Sequence, residues 1–167
     1  MARPDLIIAD AGPLIALSRI DALDLLCGVF GEIQVTPEVR AEALPSADYP
    51  GKASLNAAFA AGWLRCIQAA STDWQPLNPG LGPGERSAIA AALQSPDCLL
   101  VIDDRAGRAE ARAQGLSIIG TAAVIGLAKL LGLIPAALPL LEQLRPAGYY
   151  LGAAVIEAVL TDVGEAS

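Results

Sequence analysis

Leu6-Ile7-Ile8-Ala9-Asp10-Ala11-Gly12-Pro13-Leu14-Ile15-Ala16-Leu17-Ser18 decides the fold of this chain. Its first four residues are apolar without alternation, as in a strand covered on both faces in a parallel sheet. The run ends in a single carboxylate, Asp10, and an Ala-Gly-Pro turn then opens an apolar helical pattern. Pro13 suits the first helical position, where a missing N–H costs nothing. Asp10 is therefore expected at the carboxyl end of a central strand, beside a helix N-terminus. That edge is where open α/β sheets bind ligands. An Asx-turn into the helix is the competing explanation of Asp10.

Composition narrows the chemistry. The 167 residues suffice for one domain with a real core, and no repeat or linker divides them. They read as a single domain, 1–167, with an acidic site drawn from 1–105 and C-terminal helices within 121–163. Hydrophobic residues make up 54% and aromatics only 4%, so Ala, Leu and Ile must do the packing. The net charge of −7 disfavours a broad electrostatic grip on nucleic acid, although a small metal-mediated contact with phosphate stays open. The chain has no histidine. Ser-His-Asp hydrolysis and His-ligated zinc are thereby excluded, and hydrolytic chemistry must run on carboxylates and metal, or on groups less suited to pH 7.

Cys27, Cys66 and Cys98 fit neither a disulfide framework nor a zinc spacing, so they read as buried thiols of a cytoplasmic protein. Met1-Ala2-Arg3-Pro4 does not open a signal peptide. Leu116–Leu141 is membrane-like in composition, but Gly120, Pro135 and Pro139 cut it below the roughly 20 residues of a span. It reads as buried strand, helix and helix.

Along the chain, helix is expected over 13–26, strand over 32–36, helix from Pro37, helix over 52–61 and a short strand over 63–67. Glu38 and Glu42 lie four residues apart, on one face of the helix from Pro37. Residues 71–84, with Trp74, three prolines and three glycines, form the longest irregular stretch. It is either a functional loop or a place where Trp74 caps the core. Gly82-Pro83-Gly84-Glu85 opens a helix expected over 85–93 and puts Glu85 in its first turn; it lacks the spacing and Lys of a P-loop. Cys98–Ile102 is a second fully apolar strand and ends in Asp103-Asp104. One of these two can cap the helix over 105–114, and both together exceed what a cap needs. A fifth strand is expected over 117–121, then helices over 122–131, 135–144 and 152–162.

Strands alternating with helices imply a three-layer α/β/α fold on a mainly parallel five-stranded sheet. Asp10, Asp103, Asp104 and Glu85 then converge on one edge, with Glu42 placed less securely and Glu38 its rival. Carboxylates gathered without His or Cys point to magnesium or manganese. A haloacid-dehalogenase-type phosphatase would need an Asp where Gly12 stands, and a receiver domain would need its acidic pair early in the chain.

The segments Ile7–Leu17, Val35–Glu42, Gly82–Ala90 and Leu100–Arg105, followed by Gly120-Thr121, Ala128-Lys129 and Gly132–Ile134, resemble in order a PIN-like branch of bacteria and archaea. PIN domains include ribonucleases and the toxins of VapBC-type modules. The resemblance implies a Rossmann-like PIN fold and an Mg²⁺- or Mn²⁺-dependent endoribonuclease, a hydrolase of RNA phosphodiester bonds. It implies that Asp10, Glu42, Glu85 and Asp104 are catalytic and favours Glu42 over Glu38. Asp10, Glu85 and Asp104, with Asp103 adjacent, would hold metal, and Glu42 would help hold it or position water. Many toxins carry Asp where this chain has Glu85. Expected partners are RNA, a small antitoxin protein and a second copy in a homodimer. The alternative is a non-catalytic PIN-like binding or regulatory protein.

Overall fold

A computed structural model describes residues 3–68 and 73–165. Met1 and Ala2 of the expected leaderless start, and Ser71 and Thr72 of the expected long loop, lie outside the described residues. In chain order the elements are β1 (Leu6–Ala9), α1 (Ala11–Arg19), α2 (Asp24–Phe30), β2 (Ile33–Val35), α3 (Pro37–Ala43), α4 (Lys52–Ala61) and β3 (Leu64–Cys66). They continue as α5 (Pro83–Ala92), β4 (Cys98–Val101), α6 (Arg105–Ala113), β5 (Ser117–Ile119), α7 (Thr121–Leu130), α8 (Leu138–Leu144) and α9 (Ala153–Asp162).

The strands form one parallel sheet in the order β3-β2-β1-β4-β5, within the expected three-layer α/β/α arrangement. The chain steps outward from β1 through β2 to β3, then crosses to β4 on the other side of β1. The switch point of the sheet therefore lies between β1 and β4, whose register pairs Leu6 with Cys98 and Ala9 with Val101. A crevice opens beyond the strand ends at such a point. Ile8, Ala9, Leu100 and Val101 are fully buried there, which explains why these strands are apolar without alternation. Truncating a side chain such as Ile8 to Ala in such a core costs roughly 2–5 kcal/mol.

Several expectations are corrected. The helix expected over 13–26 is two helices, because Asp21 turns into the left-handed region (φ 56°) and the Ala22 amide closes back on the Leu17 carbonyl at 2.8 Å. Asp tolerates that conformation better than most residues. Since α1 begins at Ala11, Pro13 is its third residue and not its first; it still falls where helical N–H groups lack partners. The helix expected from Pro135 begins at Leu138. Of the three thiols only Cys98 is buried; Cys27 is half-buried and Cys66 is exposed, because β3 is an edge strand. Burial pushes the Cys98 thiol up to about 11. In Leu116–Leu141, Leu130, Leu131, Leu133 and Leu138 are exposed. No helix among the described residues is long and apolar enough to cross a membrane.

The described part of the long loop, 73–82, is held in place. Trp74 packs against the core. Glu110 of α6, only 4% exposed, accepts the Leu77 amide through Oε1 and the Asn78 amide through Oε2, both at 3.0 Å. These bonds, that from Leu77 foremost, hold its carboxyl below the usual Glu range. A depressed carboxylate stabilises the fold above its unfolded pKa, and that contribution is lost as pH falls through the lower folded value. Glu110→Gln is therefore expected to speed amide exchange at Leu77 and Asn78 at neutral pH, and wild type should lose the same protection in acid. Hydrogen exchange read residue by residue checks both outcomes.

Candidate functional site

Asp10 follows β1 directly. Its amide donates to the Val101 carbonyl at 2.9 Å, continuing the β1–β4 ladder one residue further. It stands at the N-cap of α1 with extended backbone, yet its side chain makes no capping hydrogen bond. The side chain is 3% exposed and Oδ1 is buried with no hydrogen-bond partner. A carboxylate that merely closed a turn would have spent its oxygens on nearby amides. Burial, then the charge of Glu85, pushes the Asp10 carboxyl up to about 7. The Ala11 amide opposes that rise, and Glu42 and Asp104 add to it.

These acids share a cleft of about 500 Å³ at the switch point, lined by Asp10, Glu42, Glu85, Asp103 and Asp104 together with Gly148, Tyr149 and Tyr150. Local sequence explains how each arrives. Thr36 caps α3 by accepting the Val39 amide at 3.2 Å, and Pro37 opens that helix. Glu42 lies near its far end, where Oε1 accepts the Gly84 amide of α5 at 2.9 Å. A Cβ on Gly84 would sit 2.6 Å from Glu42 Oε2, so only glycine lets the two helices make this bond. Glu85 is the third residue of α5, half-buried at the cleft. Glu38 does not line the cleft; it is half-buried with Oε2 lacking a partner.

The acidic pair divides its work. Asp104 caps α6, its Oδ2 accepting the Gly107 amide at 2.8 Å. Asp103 reaches across to the start of α7, where Thr121 donates its amide to Oδ1 at 2.8 Å and its hydroxyl to Oδ2 at 2.5 Å. So the capping explanation holds for Asp104, and Asp103 ties a second helix to the end of β4.

Tyr149 and Tyr150 were not legible as site residues. They follow α8, far along the chain from the acids, and no spacing rule connects them. The one local hint is two tyrosines in a Pro-Ala-Gly-Tyr-Tyr loop of an aromatic-poor sequence. The Tyr149 hydroxyl packs over Gly12, where a Cβ would lie 2.5 Å from it. That contact accounts for a glycine in the first turn of α1. Burial, then the charges of Asp103 and Asp10, hold the Tyr149 phenol well above its usual range.

The donor set suits a hard divalent ion in part. Oxygen ligands without His or Cys favour magnesium or manganese, and Asp10 Oδ1 is a buried oxygen with no protein donor. Against this, no group of three acidic side chains among the described residues is placed to hold an ion together. Glu42, Asp103 and Asp104 each spend at least one oxygen on a backbone amide.

A family model described as a PIN domain matches residues 6–165. No curated protein and no solved structure matches the chain.

Asp10 sets a sign for stability. With its folded pKa raised from 3.8 to about 7, its contribution is fully present below pH 4 and is lost as pH rises through 7. In chelator at pH 8, Asp10→Asn is expected to be more stable than wild type by up to about 4 kcal/mol, or roughly 10 °C. At pH 4 the two should melt alike. Thermal melts at both pH values test this; a variant destabilised at both would make Asp10 a turn residue.

Proposed function

Because the chain belongs to the PIN-domain family, we propose that it is a divalent-metal-dependent ribonuclease with Asp10, Glu42, Glu85 and Asp104 as its catalytic carboxylates. The observation that carries the proposal is Asp10 Oδ1, buried without a partner among the acids of the switch-point cleft. Glu38 Oε2 is likewise buried without a partner but lies outside the cleft; the other acids around Asp10 are what point to a ligand there. Bound Mg²⁺ or Mn²⁺ would polarise a phosphate and make water a nucleophile at neutral pH.

Asp10 and Glu85 would hold that ion: Asp10 makes no side-chain capping bond, and the Glu85 carboxylate lies over Gly82, where a Cβ would sit 2.5 Å from Oε2. Asp104 is a better third ligand than Asp103. Its cap engages Oδ2 alone, whereas Thr121 occupies both oxygens of Asp103. Asp103 then keeps the start of α7 in place beside the cleft. Glu42 is fixed through Oε1 on Gly84, which leaves Oε2 to take a proton from an attacking water.

A second reading, a PIN-fold binding or regulatory protein, is favoured by one observation: among the described residues no three acids stand ready to hold an ion. The toxin role rests on the family resemblance, and the antitoxin partner and the homodimer rest also on an apolar fraction of 54% that leaves helical faces to be covered.

Purified protein is expected to cleave RNA in Mn²⁺ or Mg²⁺ and not in chelator. Asp10→Asn and Glu85→Gln should each lower the rate at least a hundredfold, in the range typical of losing a catalytic acid or base (~10²–10⁴-fold), while circular dichroism stays unchanged. Equal cleavage by wild type and both variants would remove these residues from the chemistry. RNA binding without cleavage would select the second reading.

A further inference from the structure

Arg105, Arg108 and Arg112 stand three and four residues apart on α6, so they form one row along the helix. The row runs about 10.5 Å, at 1.5 Å of rise per residue. Ala106, Ala109 and Ala113 repeat the spacing one position on and form a second row beside it. Gly107, Glu110 and Ala111 are the buried face of this helix. Everything else that α6 carries is Arg or Ala, half-buried at Arg108 and exposed elsewhere.

The chain holds 11 basic residues, and three of them stand in this row. Among the described residues the ion pairs are Arg65 with Glu32 and Lys129 with Glu165, and neither reaches α6. Arg108 donates through Nη1 to the Ile102 carbonyl at 2.8 Å. Arg105 and Arg112 make no hydrogen bond or ion pair among the described residues. Burial, then the charge of Arg112, holds the Arg108 guanidinium below its usual range, and the charge of Asp103 opposes both. A chain of net charge −7 thus crowds like charges on one helix face, with no ion pair to relieve them.

An anionic partner would relieve this crowding, and the alanine row says which kind. Small side chains let a second helix come close, since the side chains at the contact set the interaxial distance within ~8–10 Å. An amphipathic helix would lay small or apolar side chains on Ala106, Ala109 and Ala113. Its carboxylates would meet the arginines at the same period. A nucleic-acid backbone would use the charges alone. It would gain nothing from the methyl groups, and α6 offers no aromatic ring to a base. The net charge would also repel a long polyanion, whereas a short acidic helix meets only the two rows. We propose that the solvent face of α6 docks an acidic amphipathic helix of a protein partner, its Asp or Glu spaced to match Arg105, Arg108 and Arg112. Since α6 starts directly after Asp104, the docked helix would border the cleft. The face needs no ion, so its test stands apart from that of the ribonuclease reading.

The test titrates the full chain, in chelator, with a labelled synthetic helix that carries Glu at the spacing of the three arginines beside an Ala and Leu seam. Wild type is expected to bind this peptide and not a copy with Lys in place of Glu, with an affinity that falls as salt rises. Amide chemical-shift changes on binding should concentrate in α6. Arg105→Gln with Arg112→Gln should weaken binding roughly two- to thirtyfold, the range of losing two exposed ion pairs. Both side chains are exposed, so this double variant should melt with wild type. Ala109→Gln keeps every charge but fills the small row, and it should weaken the peptide as well. Arg105→Glu with Arg112→Glu should bind the Lys peptide instead. Equal binding of both peptides by wild type, binding of neither, or an affinity indifferent to the arginines would overturn the proposal. A labelled oligoribonucleotide held through Arg105 and Arg112 and indifferent to Ala109→Gln, with the Glu peptide unbound, would overturn it in favour of a phosphate ligand.

Discussion

One buried carboxylate organises this molecule. The middle of a parallel sheet is covered on both faces, so its strands must be apolar, and β1 and β4 obey that rule to their last residues. The chain departs from it at Asp10, one step past β1, at the switch point of the sheet. There the carboxylate is 3% exposed, carries an oxygen with no donor, and stands within reach of the charges on Glu85, Glu42 and Asp104. Desolvation and like charges both oppose its ionisation. Protonation relieves both penalties, and so would the bound cation proposed above.

The surrounding acids also hold the architecture together. Glu42 joins α3 to the start of α5, Asp104 caps α6, and Asp103 ties the start of α7 to the end of β4. Three helices therefore begin at carboxylates of the cleft, and α1 begins beside Asp10. Helix N-termini carry partial positive charge, so this arrangement lowers the cost of gathering negative side chains without cancelling it. The cluster that shapes this edge of the sheet also lines the cleft. The same double duty explains why the acids do not already converge: their oxygens are shared between the backbone and the cleft.

Much of this was legible in the sequence, for definite reasons. Leu6–Ala9 and Cys98–Val101 announce central strands because parallel sheets demand unbroken apolar runs, and the ends of those strands carry the acids. Pro37 marked a helix start to the residue, since the first helical position is where proline fits; α5 begins at Pro83, two residues before the expected Glu85. The break between α1 and α2 was not legible, because it depends on Asp21 adopting a left-handed conformation inside an otherwise continuous helical pattern. Glu42 and Glu38 were indistinguishable by period; tertiary contact with Gly84 separates them. The division of labour between Asp103 and Asp104 depends on Thr121, a residue of another helix. Tyr149 and Tyr150 reach the cleft only through a turn fixed by Arg19, a long-range contact that no local pattern encodes.

Crystals grown with Mn²⁺ would test the central claim most directly, through the anomalous signal of the metal. A single strong peak in the switch-point cleft is predicted, at coordination distance (roughly 2.0–2.2 Å) from Asp10 Oδ1 and with Glu85 and Asp104 turned toward it. A cleft without that peak at saturating Mn²⁺, or a peak bound elsewhere while Asp10 Oδ1 stays unpartnered, would contradict the account.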